Sequence, residues 1–218
     1  MRLVLTLIGA GLLAASAAAA GPAFDRTSAG DAAATASLLT KVDLPARDGW
    51  NVVAQGTNSG FGFSCDGWDP SSKGITEIGA ASSPDYSVPG VDGVQVLQMT
   101  NVYATAAQAS TLWTRAVRSG FTRCVAETLE GVARQGIDVR LLSEGPLPVE
   151  KVAPMTAGYR VVADLYYPKT LTTKETYFDV IVVGRAGTLS EITLSSFGVA
   201  VPPKVEYALT LIVYHRIG

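Results

Sequence analysis

The sequence predicts an α+β domain, an antiparallel β-sheet meander with helices packed against it and one disulfide. Three observations predict this class. After Gly136, apolar residues recur with period two over successive segments joined by short turns, the pattern of half-buried antiparallel strands. Between Thr105 and Val132 the period is helical instead. Two cysteines, Cys65 and Cys124, stand far apart in a chain that begins like an exported protein, where an isolated pair forms a structural bond.

Arg2, the apolar run Leu3 to Leu13 and the small residues Ala18-Ala19-Ala20 before Gly21 describe a secretory signal peptide over residues 1–20. The competing reading is an uncleaved anchor, because a spanning helix needs roughly 20 apolar residues. The weakly apolar Ala15 to Ala20 favours cleavage. No cysteine precedes Cys65, so a lipid-modified terminus is excluded and the mature protein is expected to be soluble and extracytoplasmic, secreted or held in the cell envelope. Residues 21–30, small and polar, read as a flexible leader, and residues 31–218 as a single domain of ordinary size.

Within that domain Asp31 is expected to cap a helix from Ala32 to Thr40, ended by Leu44-Pro45. Trp50 to Gln55 reads as extended, Gly56 to Ser64 as a loop and Ile75 to Ala80 as a strand. Pro84 to Gly93 is turn-rich, and Gly93 to Tyr103 is a valine-rich strand. Thr105 and Gln108 form a capping box opening a helix whose face carries Ala109, Leu112, Trp113, Ala116 and Val117, and Gly120 stops it. A second helix from about Arg123 carries Val125, Leu129 and Val132, with Cys124 in its first turn fastening it to the loop at Cys65.

Four strands follow. Ile137, Val139 and Leu141 alternate with Asp138 and Arg140; Tyr159, Val161, Ala163 and Leu165 oppose Arg160 and Asp164. Phe178, Val180 and Val182 oppose Glu175 and Asp179, and Gly184-Arg185-Ala186-Gly187 turns the chain into Leu189 to Phe197. In the last segment Pro202-Pro203 with Val205, Ala208, Leu209 and Ile212 favours a helix, although Val205, Tyr207, Leu209, Leu211 and Val213 also fit a strand.

The chain has 218 residues, 17 Lys+Arg and 19 Asp+Glu, a net charge of −2 that gives no basic surface for nucleic acid. His215 is the one histidine, and no G-x-S-x-G elbow accompanies it, so a Ser-His-Asp hydrolase is not expected. Zinc would need a cluster of Cys and His, and Asp66, Asp69 and Glu77 miss the spacing of a calcium loop, so no metal is expected. Asp66, Asp69, Asp85 and Asp92 lie in loops without a catalytic signature. No phosphate loop or dinucleotide fingerprint is present, and no cofactor is expected. Among the aromatics Trp50, Trp68, Trp113 and Tyr166-Tyr167, Trp113 reads as core, and Trp68 is the candidate for ligand contact, with core packing as its alternative.

Several segments together carry a resemblance: Leu38-Leu39-Thr40-Lys41-Val42-Asp43-Leu44-Pro45, Gly49-Trp50, Phe63-Ser64-Cys65, and the strand Val94 to Tyr103 running into Thr105-Ala106-Ala107-Gln108-Ala109. With the second cysteine and the closing meander, the chain resembles a family of exported actinobacterial proteins and lipoproteins. That family is similar to the extracellular sensor domain of a mycobacterial receptor serine/threonine kinase. The resemblance implies a sensor-like α+β domain over residues 31–218, with a cleft that binds a small molecule. It assigns no catalytic residue.

This chain lacks a kinase segment and has fewer cysteines than the kinase sensor, which favours a free-standing protein over a direct signalling role. The expected function is therefore non-enzymatic binding of a small or lipid-like ligand, or of an envelope protein. A structural or interaction module without a ligand, and a hydrolase of unfamiliar design, are the alternatives. An apolar-lined pocket would favour the first, a flat exposed apolar patch the second, and carboxylates converging in a cleft the third.

Overall fold

A computed structural model describes residues 23–45, 49–54, 72–88, 93–117, 124 and 136–218. Its centre is a nine-stranded sheet in the order β1-β3-β5-β9-β8-β7-β6, with β4 joined to β5 and β2 to β4. The strands are β1 (Ala23–Phe24), β2 (Asn51–Val53), β3 (Thr76–Ser82), β4 (Asp85–Val88), β5 (Val94–Tyr103), β6 (Asp138–Pro146), β7 (Met155–Tyr167), β8 (Thr172–Arg185) and β9 (Thr188–Phe197). Every pairing is antiparallel except that of β1 with β3. Three α-helices are described: α1 (Ser28–Ala36), α2 (Ala106–Ala116) and α3 (Pro203–Arg216).

The four-strand meander β6-β7-β8-β9 follows the expected order. Its last hairpin turns on Ala186 and Gly187, with φ of 47° and 99°. Two consecutive positive φ values match the right-handed twist of the flanking strands, and glycine adopts the second without a Cβ clash. The sheet then continues beyond the meander, because β9 pairs with β5 over the whole register from Val94–Ser196 to Val102–Thr188. The other edge of β5 is shared, with β3 on its later half and β4 on its earlier half.

Burial on both faces explains the continuous apolar run Val180 to Val183 in β8. One face carries Val161, Leu165, Phe178, Val180 and Val182, against which Ala116 and Cys124 pack. The opposite face carries Val96, Ile181, Val183, Ile192 and Leu194, covered by Leu209 and Val213 of α3 and by Leu39, Leu44 and Trp50.

The fold class is corrected. The chain is mostly antiparallel β-sheet, extended well past a meander, with the helices as covers. The disulfide written into the expected fold falls outside the described residues, because Cys65 is not among them; Cys124, the one cysteine described, is fully buried and not free. The sheet and its two covered faces carry the described architecture.

Local expectations are corrected too. Residues 21–30 are not simply a leader: β1 pairs with β3, Asp25 and Thr27 donate to the Glu77 and Ile78 carbonyls, and α1 begins at Ser28. The cap is Thr27, whose Oγ1 accepts from the Gly30 amide at 2.9 Å, while Asp31 sits in the first turn and accepts from the Ala80 amide. Helix α1 stops at Ala36, short of the expected Thr40. The turn-rich Pro84 to Gly93 contains β4. Thr105 caps α2 as expected, but the Gln108 side chain accepts from the Thr76 amide on β3, which ties the helix to the sheet.

In β6 the register slips between Leu141 and Ser143, so Leu141 and Leu142 are exposed on the edge strand where alternation would have buried Leu141. The expected signal peptide over residues 1–20, the expected loop Gly56 to Ser64, Gly120, and the expected helix carrying Val125, Leu129 and Val132 lie outside the described residues.

Candidate site: an apolar cleft under the last helix

The ambiguous last segment settles as the 14-residue helix α3, Pro203–Arg216. Pro202 and Pro203 preset its start, since the missing amides fall where a helix has no acceptors to offer. The buried stripe is Glu206, Leu209, Thr210 and Val213. It is turned by about one residue from the expected stripe, leaving Ala208 exposed and Val205 and Ile212 half-buried.

Both ends of α3 are fastened by arginine–carboxylate pairs. At the C-terminal end Arg216 donates to both Asp43 oxygens, at 2.7 and 2.8 Å, and to the Leu38 carbonyl at 2.6 Å. Asp43 also accepts from the Thr40 amide and hydroxyl, capping the 3₁₀ turn Lys41–Asp43. Burial works against the Asp43 carboxylate, but the hydrogen bonds from Arg216 and Thr40 outweigh it and hold its pKa below the usual value.

At the N-terminal end Arg160 of β7 reaches across its own sheet face. Its Nε and Nη2 hold the two Asp179 oxygens at 2.6 and 2.7 Å, and Nη2 also donates to Glu206 Oε1 at 2.9 Å. Asp179 is wholly buried and Glu206 is 1% exposed. Burial pushes the Glu206 carboxyl up to about 7, the negative charge of Asp179 adds to it, and Arg160 pulls the other way.

Between these fastenings lies a cleft of about 500 Å³. Its floor is sheet, from Val94 and Val96 of β5 and Leu194 of β9; its roof is helix, from Val205 and Leu209. Pro45 and Trp50 form one wall, and the turn from Val199 to Pro202 forms the other. The Trp50 indole N–H donates to the Pro45 carbonyl at 3.3 Å, which satisfies the one polar atom of that side chain and leaves a carbon surface. Val199, 66% exposed, marks the rim. Among the described residues the lining holds no ionisable side chain.

The candidate residues taken from the sequence do not converge here. Trp68 and Cys65 lie outside the described residues, as do Asp66, Asp69 and Asp92. Cys124 belongs to the core on the opposite face. His215 is exposed near the end of α3, its ring tilted against Tyr214 with centroids 5.7 Å apart. Asp85 is half-buried on β4, accepting from Gln95, and burial raises its pKa. Trp113 packs on the core as expected. Among the described residues no group of three or more His, Cys, Asp or Glu is placed to hold a metal ion, and no helix is long and apolar enough to cross a membrane.

Trp50, with Phe197 of β9, brings aromatic surface to the cleft, and the Arg160–Asp179–Glu206 cluster is not legible in the sequence motifs. Its signal was present: Glu206 stands three residues before Leu209 and seven before Val213, a carboxylate on an apolar stripe.

No protein-family model matches the chain, and no curated protein sequence matches it significantly. Among solved structures it is similar to the extracellular domain of PknH from Mycobacterium tuberculosis, at 11% identity and a TM-score of 0.34 over 64% of this chain. The match spans 64% of that domain. It is similar also to LpqN, involved in cell envelope biogenesis of Mycobacterium tuberculosis, at 8% identity and a TM-score of 0.33 over 80% of this chain and 77% of that one. The first of these is a kinase extracellular domain, the kind of neighbour named by the sequence resemblance. At such scores the likeness assigns this chain no activity, and function is argued from the cleft.

Proposed function

We propose that this chain is an exported, non-enzymatic binding protein that holds a small apolar or lipid-like molecule in the cleft beneath α3, at the cell envelope. The observation that carries the reading is the cleft itself. At about 500 Å³ it lies within the roughly 300–1,000 Å³ range of small-molecule sites. Its aliphatic and aromatic lining would gain roughly 25 cal/mol for each Å² of apolar surface removed from water. Without an ionisable group in the described lining, a charged occupant would lose its hydration with nothing to replace it. The carboxylates of Asp179 and Glu206 are engaged by Arg160 and that of Asp43 by Arg216, which favours contact over chemistry.

The test is a fluorescence titration with the neutral dye Nile red. The wild type is expected to bind it saturably with a blue-shifted emission. Val205→Trp, which fills the roof side of the cleft, is expected to weaken binding at least about tenfold, equivalent to about 1.4 kcal/mol, while far-ultraviolet circular dichroism stays unchanged. Equal binding by a folded Val205→Trp protein would place the dye elsewhere and refute the reading.

A further inference from the structure

The buried cluster at the N-terminal end of α3 serves one guanidinium with two carboxyls. A single Arg160 nitrogen, Nη2, contacts both Asp179 and Glu206, so the two acids are held side by side, both buried, by an arginine whose side chain is 27% exposed. With one proton between them the cluster is neutral; with none it carries a net negative charge, which the positive end of α3, in whose first turn Glu206 lies, offsets only in part. Like charges sharing a buried site cannot both ionise cheaply. The cluster also adjoins the cleft. Glu206 follows the roof residue Val205 in the chain, and Asp179 is the register partner of the floor residue Leu194.

We propose that Arg160, Asp179 and Glu206 form a proton-operated latch that seats the N-terminal half of α3 and so controls the cleft. The helix is seated while one carboxyl keeps its proton. Loss of the proton drives Glu206 away from Asp179, loosens the first turns of α3 and lowers affinity for an apolar occupant. The second half of this statement rests on the cleft being a ligand site; the first half does not.

The groups facing Glu206 are Arg160 from β7 and Asp179 from β8, with Tyr177 of β8 behind the guanidinium, 5.7 Å from its ring centroid. The Tyr177 hydroxyl is turned to Glu175. On α3 itself Lys204 is exposed, and His215 stands at the far end of the helix, also exposed. The carboxyl pair is therefore the group whose charge change falls beneath the helix, and the upward displacement of the Glu206 pKa to about 7 places that change near neutrality.

Amide hydrogen exchange across Pro203–Arg216, taken relative to the base-catalysed intrinsic rate at each pH, and Nile red affinity, both followed from about pH 5.5 to pH 8.5, test the latch on the full folded protein. In the wild type, exchange in the first turns of α3 should quicken and the Nile red Kd should rise about tenfold through neutrality, the change expected for one pKa unit of coupling. Glu206→Gln, which fixes the neutral form at nearly constant shape, should hold both readouts at their low-pH values. Asp179→Asn should move the transition down toward the ordinary carboxyl range, because it removes the neighbouring charge. Exchange that ignores pH in the wild type, or a pH response that survives in Glu206→Gln and so belongs to another group such as His215, overturns the latch. A pH-dependent helix with no Nile red binding at any pH supports the latch and overturns the cleft as a ligand site.

Discussion

Gln98 of β5 is wholly buried, and its side chain fixes a segment distant in sequence. Its amide nitrogen donates to the Ser37 carbonyl at 3.2 Å and to the Thr100 and Ser190 hydroxyls at 3.0 and 2.8 Å, while its oxygen accepts from the Leu39 amide. These bonds hold the stretch after α1 against the sheet, and that stretch leads to Pro45 and Trp50 of the cleft. Gln98→Ala would leave a buried amide and a buried carbonyl unpaired and is expected to cost about 2–4 kcal/mol in urea unfolding.

A second residue-level expectation concerns pH. The raised Glu206 pKa means that the folded state binds more protons than the unfolded chain between the ordinary value of 4.5 and about 7, so stability falls as pH rises through that window. The lowered Asp43 pKa acts oppositely: its contribution is present above its ordinary value of 3.8 and is lost as pH falls below it. Unfolding midpoints should therefore be higher near about pH 5 than near about pH 8, by up to about 3 kcal/mol if Glu206 dominates. Glu206→Gln should remove most of that slope, and a slope unchanged in the variant would contradict the assignment. The partnerships with Ser37, Leu39 and Ser190, with Arg160, and with Arg216 are distant in sequence, so the sequence offers Gln98, Glu206 and Asp43 as ordinary polar residues; pairing across the sheet and α3 gives them their roles.

At the scale of elements, the long periodic segments were legible. The strand Val94–Tyr103, the meander from Asp138 to Phe197 and the preference for a terminal helix all follow from period and turn chemistry. What local pattern did not supply was contact between elements. Thr27 rather than Asp31 caps α1 because Asp31 is needed by the Ala80 amide. Gly30 and Gly79 read as ordinary glycines, yet a Cβ on Gly79 would lie 2.0 Å from the Gly30 carbonyl carbon, and one on Gly30 would lie 2.1 Å from the Ile78 oxygen. Helix and strand touch there backbone to backbone. Gly79→Ala must push α1 off β3 and is expected to cost about 1–3 kcal/mol in chemical denaturation. A neutral result would mean that α1 is not seated where these distances place it.

For the whole molecule, the sheet with covers on both faces was only half legible. Strand alternation indicates one buried face, but β8 is buried on both from Asp179 to Gly184, and continuous apolar runs do not reveal which element lies on which side. The cleft was foreseen as a kind of feature and not as a place. Its lining is gathered from β5, β9, α3 and the segment before β2, which come together only when the sheet is assembled. The candidate aromatic was Trp68, whereas Trp50 supplies the wall. The central claim is that this cleft holds an apolar molecule, and native mass spectrometry of protein purified from its own host tests it most directly. The account predicts a discrete added mass that organic extraction removes as a neutral or lipid-like compound, and that is absent from Val205→Trp prepared identically. A single peak at the mass of the polypeptide alone, in wild type and variant alike, would contradict it.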